Sequence, residues 1–160
     1  MKKILVLISA LCVTASGLLF VASAQNDMTP EERAAMAVDQ RKALFKTLRF
    51  NLIPIAGMAQ GAPFDAAVAE RNARRVAAIA SMIPEVLAQD TRDFDVETTA
   101  LDSIWENMDD FAAKAQALED NANAFADAAS GGDFATAMGA FRAFGGSCGN
   151  CHDTYRVDTD

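Results

Sequence analysis

Apolar positions in this chain recur every three or four residues, the period of helices that turn one face inward. The first helical stretch opens at Thr29-Pro30-Glu31-Glu32. Thr29 is placed to cap it, Pro30 sits at its first position, and Glu32 closes a capping box. Its apolar stripe is Ala37, Leu44, Phe45, Leu48, Leu52 and Ile55. Continued to Met58, this helix would be about 43 Å long, but Pro54 should kink it or end it early. Gln60-Gly61-Ala62-Pro63 breaks the pattern. A second helix follows with Val68, Val76, Ile79 and Ile83 inward and with Pro84 weakening its last turn. Residues 89–97 show no periodicity and form the longest loop. A third helix is expected from near Thr99, with the seam Ile104, Met108, Phe111, Ala115, Leu118, Ala122 and Phe125. Ser130-Gly131-Gly132-Asp133 ends it, and Asp133 is a natural cap for the last helix. One face of that helix carries Phe134, Ala137, Met138, Phe141, Phe144, Cys148, Cys151, His152 and Tyr155. No strand pattern and no internal repeat is visible. Four helices with short connections predict an all-α fold, an antiparallel four-helix up-down bundle that can hold a cofactor between facing helices.

Residues 1–24 do not belong to this pattern. Lys2 and Lys3 precede an apolar run from Ile4 to Val21, and Ala22-Ser23-Ala24 is a small-residue exit, together the layout of a secretory signal. Cleavage is expected after Ala24, which leaves residues 25–160 as one domain and removes Cys12. A retained membrane anchor is the competing reading. Ser and Thr within the run and the small-residue exit weigh against it. Export of this kind predicts a periplasmic location. The whole chain carries a formal charge of −8, from 14 basic and 22 acidic residues. Loss of Lys2 and Lys3 leaves 12 basic residues against the same 22 acids, or −10. That balance argues against nucleic acid and against an anionic membrane surface as partner. No second stretch is long and apolar enough to cross a bilayer.

Candidate chemistry is concentrated in Cys148-Gly149-Asn150-Cys151-His152. C-x-x-C-H is the attachment signature of a c-type haem: two thiols bond to the porphyrin vinyl groups and the histidine offers an axial nitrogen to the iron. His152 is the only histidine in the chain, so bis-histidine ligation is excluded. A thioredoxin-like C-x-x-C would need a βαβ setting. A structural zinc would need about four ligands, and a disulfide across so short a span would be strained. Haem c, one per chain, is therefore the expected cofactor. In a helix the spacings of three and four residues put Cys148, Cys151 and His152 on one face. Gly145 and Gly146, one turn earlier, cost about 1 kcal/mol each against alanine inside a helix. We read them as allowing close backbone approach to the ring, with a short break in the helix as the alternative.

A C-terminal Cys148-Gly149-Asn150-Cys151-His152-Asp153-Thr154-Tyr155-Arg156 on the last of four helices resembles the class II cytochromes c, and within them the cytochrome c′ family. Residues 41–46, 61–67 and 104–111 also resemble segments of that family, in its first helix, first interhelical loop and third helix. The likeness spans nearly all of residues 30–158. It implies that Cys148 and Cys151 hold the haem and that His152 is the iron ligand. It also implies that Arg41 meets a haem propionate, as a guanidinium suits a carboxylate. Lys42 falls at a position lining the haem that is often glutamine. Thr98 and Thr99 fall where the loop before the third helix touches the haem edge, and Arg156 beside the proximal face. Phe45 falls at the position that covers the distal side of the iron. Phenylalanine cannot ligate, which implies a five-coordinate, high-spin haem with an apolar pocket suited to NO and CO, and electron transfer as the formal activity. The alternative is a six-coordinate, low-spin electron carrier that uses one of Met36, Met58, Met82, Met108 or Met138 as sixth ligand. Trp105 is expected to pack in the bundle near the haem. A peroxidase would want a distal acid–base histidine, and none remains, so the chain is not expected to be an enzyme. The redox partner is not identified. The resemblance further implies a homodimer through the first two helices.

Overall fold

The structure is a computed structural model that describes residues 28–158. The expected signal, its cleavage site and Cys12 lie outside the described residues. Of the described chain, residues 28–33 carry the expected capping box. The Glu32 amide donates to Thr29 Oγ1 at 3.2 Å and the Thr29 amide to Glu32 Oε2 at 2.8 Å. Residues 34–158 form one compact unit.

The elements, in order, are α1 (Pro30–Ala59), α2 (Ala66–Ala80), α3 (Ile83–Leu87), α4 (Ser103–Glu106), α5 (Met108–Ser130) and α6 (Phe134–Tyr155). The four long ones are the helices of the bundle, and α5 is the central packing partner of both α2 and α6. Among the described residues there is no strand, only an isolated bridge between Ala100 and Arg156. The starts of α2 and α6 have a local physical cause. Gly61, at φ +104°, turns the chain after α1, and Asp65 caps α2 by accepting from the Val68 amide at 2.9 Å. Gly132, at φ +77°, turns it after α5, and Asp133 caps α6 by accepting from the Thr136 amide at 2.8 Å. Such backbone angles suit glycine, which has no Cβ to clash.

The core follows the seams. Ala69, Ala73, Val76 and Ala80 of α2 meet Phe111, Ala115, Leu118, Ala122 and Phe125 of α5. Alanine on the α2 face lets the two backbones pack closely, which explains the alanine-rich composition. Phe125, Phe141 and Phe144 form one aromatic cluster with ring centroids 5.5–6.0 Å apart.

Several boundaries differ from expectation. Pro54 does not end α1, which runs on to Ala59. The proline leaves the Phe50 carbonyl without its helical donor, but Ile55 and Met58 beyond it are buried in the core and hold the final turns. Pro84 does not weaken the end of α2; it sits in the first turn of the separate helix α3, where a missing N–H costs nothing. The third helix does not run from Thr99. It is split at Asn107 into α4 and α5, and Asn107 has the non-helical φ of −136°. Phe134 is exposed rather than inward, although its ring lies edge-on to Phe64 at 5.5 Å.

Candidate functional site

One cavity of about 580 Å³ opens between α1, the 98–100 loop, α5 and α6. Every site residue read from the sequence borders it: Arg41, Lys42 and Phe45 from α1, Thr98 and Thr99 from the loop, and Cys148, Cys151, His152 and Arg156 from the last helix and its end. The remaining wall is mostly apolar, with Leu48, Leu52, Ile83, Leu87, Ile104, Phe111, Ala115 and Leu118. Its size is that of a small-molecule or cofactor site.

Helix α6 is continuous through the motif, so Cys148, Cys151 and His152 present their side chains to the same space. The cysteines are half-buried and free, and burial pushes both thiols up from their ordinary pKa. Burial first, and the nearby Arg156 second, lower the pKa of His152 and favour the neutral imidazole. Neutral imidazole is the ligating form. Gly145 and Gly146 do not break the helix, and neither borders the cavity. A Cβ on Gly145 would meet the Phe141 ring at an ordinary 3.8 Å. The expected close approach to the cavity is not there.

The 98–103 segment is held to the end of α6 by backbone bonds. The Leu101 amide donates to the Tyr155 carbonyl at 3.0 Å and the Val157 amide to the Thr99 carbonyl at 2.8 Å. Ser103 Oγ adds a bond to the Thr154 carbonyl at 2.9 Å. These bonds fix Thr98 and Thr99 on the same rim as His152 and Arg156. Below them Tyr155, buried, donates its hydroxyl to Asp110 Oδ2 at 2.6 Å and meets Phe111 edge-on at 5.2 Å.

Arg41 has more partners than the sequence disclosed. It is 4% exposed. Its Nε donates to the Val86 carbonyl at 2.8 Å and its Nη1 to Thr91 Oγ1 at 2.8 Å, while Nη2 donates to the Gln89 carbonyl. The guanidinium carbon lies 5.3 Å from the centre of the Trp105 ring, and Arg92 approaches the same ring at 5.9 Å. Trp105 Nε1 in turn donates to the Leu87 carbonyl at 2.9 Å. Arg41 therefore clamps the turn after α3 while one edge faces the cavity. Of its five N–H groups, three are spent on that turn. Burial lowers its pKa from the ordinary value and Asp90 partly offsets this. Trp105 packs beneath Arg41 and does not border the cavity.

Sequence reading missed Lys46, Arg49, Lys114 and Ser147, which also line the space. Lys46 and Arg49 follow Lys42 at helical spacing, so periodicity could have found them. Lys114 and Ser147 are placed only by the packing of α5 on α6.

The profile of the cytochrome C′ family matches residues 36–156, most of the chain. The chain belongs to the cytochrome c′ family. Among relatives, cytochrome c-554 of Cereibacter sphaeroides is 39% identical over 152 residues, covering 93% of this chain and 96% of its own. The solved cytochrome c prime from Shewanella frigidimarina superposes with a TM-score of 0.71 at 36% identity, over 78% of this chain and 97% of that one. A ferrous variant of cytochrome c prime from Alcaligenes xylosoxidans with bound NO superposes with a TM-score of 0.67 at 27% identity, over 77% of this chain and 94% of that one.

Members of the cytochrome c′ family are mono-haem c-type, non-enzymatic haem proteins built on a four-helix bundle. The residues of this chain fit haem c. Two thiols and an imidazole share one helix face, apolar side chains make the wall, and cationic side chains stand where carboxylates can be met. No helix among the described residues is long and apolar enough to cross a membrane.

Proposed function

We propose that this member of the cytochrome c′ family is a periplasmic, five-coordinate, high-spin haem protein that transfers single electrons and binds NO or CO. Residues 1–24 act as the export signal, cleaved after Ala24, and residues 25–160 are the working domain. Cys148 and Cys151 would hold the cofactor through thioether bonds, and His152 would supply the protein's nitrogen to the iron. When bound, haem c supplies an iron that cycles between ferric and ferrous and accepts a small neutral ligand. The side chains do the rest. Arg41 offers its two remaining N–H groups to a propionate. Lys42, Thr98, Thr99 and Arg156 border the ring's edge. Phe45 closes the α1 side without offering a donor atom.

The single observation that carries this reading is the composition of the cavity. Phe45 of α1 and His152 of α6 line it together, and no methionine does. Met58 is buried in the core, Met108 and Met138 pack against that core, and Met82 is exposed. The six-coordinate carrier ligated by methionine therefore has no candidate among the cavity residues. Phe45 itself offers no hydrogen-bond donor on the α1 side of the cavity, which suits NO and CO better than O₂. The NO-bound relative supports the same ligand class.

A homodimer through α1 and α2 belongs to the same reading. Phe50 is 70% exposed and Ile53 is 56% exposed on α1, an apolar pair that a second copy would cover.

The test is the optical spectrum of the purified protein, ferric and ferrous, before and after CO. High-spin spectra with CO uptake are expected. A low-spin spectrum that resists CO would establish methionine ligation instead, and a protein without covalent haem would refute the whole reading.

A further inference from the structure

The chain is acidic, yet its main cavity is ringed by cations. Arg41, Lys42, Lys46, Arg49, Lys114 and Arg156 all border it, and among the described residues no carboxylate does. These are half of the 12 basic residues beyond Lys2 and Lys3. Arg41 is spent on the turn after α3, and Lys114 has Asp110 at 3.8 Å. Lys42, Lys46, Arg49 and Arg156 are exposed and have no ion pair among the described residues. The first three recur at i, i+4 and i+7, one stripe of α1, and Phe45, 40% exposed, sits within it. Asp39 and Asp153 lie on the same helices but do not border the cavity.

We propose that this cationic mouth is the docking surface for an acidic redox protein, one that presents carboxylates around its own electron donor or acceptor. The proposal rests on the haem reading above. Two haem propionates can offset at most two of the six charges, so the mouth stays positive. An extended polyanion would have to approach the rest of a chain that carries about −10 overall, whereas a compact acidic patch meets the mouth alone. Field lines focused at the mouth would speed encounter and orient the partner toward the haem edge.

The experiment uses the holoprotein, once its spectrum has shown that haem is attached. The ferrous protein is mixed in stopped flow with hexacyanoferrate(III). One electron leaves the ferrous haem, giving ferric haem and hexacyanoferrate(II). Net charge alone predicts that this rate rises with salt, because both reactants are negative. A positive mouth predicts the reverse, a fall of about threefold or more from about 10 to about 200 mM salt. Reduction of the ferric protein by reduced plant-type ferredoxin, an acidic one-electron donor, should show the same fall. The double variant Lys46→Gln, Arg49→Gln should lower both rates at low salt by about threefold and flatten their salt dependence. Arg75→Gln, an exposed charge on α2 outside the cavity, should change neither. Vesicles of phosphatidylcholine with about one-third phosphatidylglycerol should not sediment the protein. Rates that rise with salt in an intact haem protein, equal effects of the double variant and Arg75→Gln, or binding to those vesicles would each overturn the proposal and leave the haem reading standing.

Discussion

Replacing Arg41 with methionine tests whether this residue is a structural clamp as well as a cavity residue. Its guanidinium donates to the Val86 and Gln89 carbonyls and to Thr91 Oγ1, and it stacks at 5.3 Å over Trp105. Hydrogen bonds from a charged donor contribute about 1.5 kcal/mol or more each. The cation–π contact adds about 1 kcal/mol. The cost of keeping a charged guanidinium out of water disappears with it, and methionine still fills the space, so part of this is recovered. The net loss should be about 3–4 kcal/mol. Arg41→Lys keeps the charge, but an ammonium cannot match the fork that reaches three acceptors at once. Its loss should be about half as large. Urea unfolding of the holoprotein, followed by far-UV circular dichroism, reads both values as shifts in midpoint at constant slope. If Arg41→Met stays within about 1 kcal/mol of the unaltered protein, the three bonds do not hold the turn. If Arg41→Lys is as stable as arginine, charge alone matters and the clamp is refuted.

Tyr155 gives a pH signature. Burial first, and the bond to Asp110 second, push its hydroxyl up to about 12. A folded pKa above the unfolded value of about 10 means that the contribution is complete below pH ~10 and is lost as pH climbs through the folded value. Denaturant titrations at rising alkaline pH should show that loss, and Tyr155→Phe should remove it while costing about 1–2 kcal/mol at neutral pH. Phe125→Ala empties the centre of the aromatic cluster where Phe125 is 0% exposed, and should cost about 3–5 kcal/mol in the same unfolding assay. A loss under about 1 kcal/mol would mean the cluster collapses freely around the gap. Phe45→Met places a thioether on the α1 wall of the haem cavity. The ferrous spectrum should shift toward low spin and CO uptake should slow by about tenfold or more, a rise of about 1.4 kcal/mol in the barrier; an unchanged spectrum would show that position 45 does not face the iron.

Local signals made much of the architecture legible. Thr29, Glu32 and Asp133 announced their helix starts because capping is a contact within one turn, and the same bonds are present. The α5 seam was legible because Phe111, Ala115, Leu118, Ala122 and Phe125 repeat with the helix period and are buried. The errors occurred where tertiary packing decides. Pro54 looks like a stop when only local sterics are counted, and burial of Ile55 and Met58 overrides it. The start of the third helix looked continuous because Ile104 and Met108 fit one period. In the structure Ile104 belongs to α4, whose preceding segment is tied to the end of α6 by bonds that join residues more than fifty positions apart.

The cavity residues came from two kinds of information. Cys148, Cys151 and His152 came from the C-x-x-C-H signature, with the helix period putting them on one face. Phe45 lay on the apolar stripe of the first helix but took its role from a family likeness, and Arg41, Lys42, Thr98, Thr99 and Arg156 came from that likeness and from no local pattern. What neither source supplied was the attachment of the cavity to its surroundings. Arg41 borders the cavity with one edge and holds Val86, Gln89 and Thr91 with the other. Leu87, the last residue of α3 before that turn, both accepts from Trp105 and lines the cavity. The turn after α3 is thus a wall of the site whose position depends on a site residue. A substitution meant to weaken a propionate contact at Arg41 would also move that wall. Change in haem chemistry and loss of stability should therefore appear together at Arg41. At Phe45, which makes no such bond, the haem chemistry should change alone.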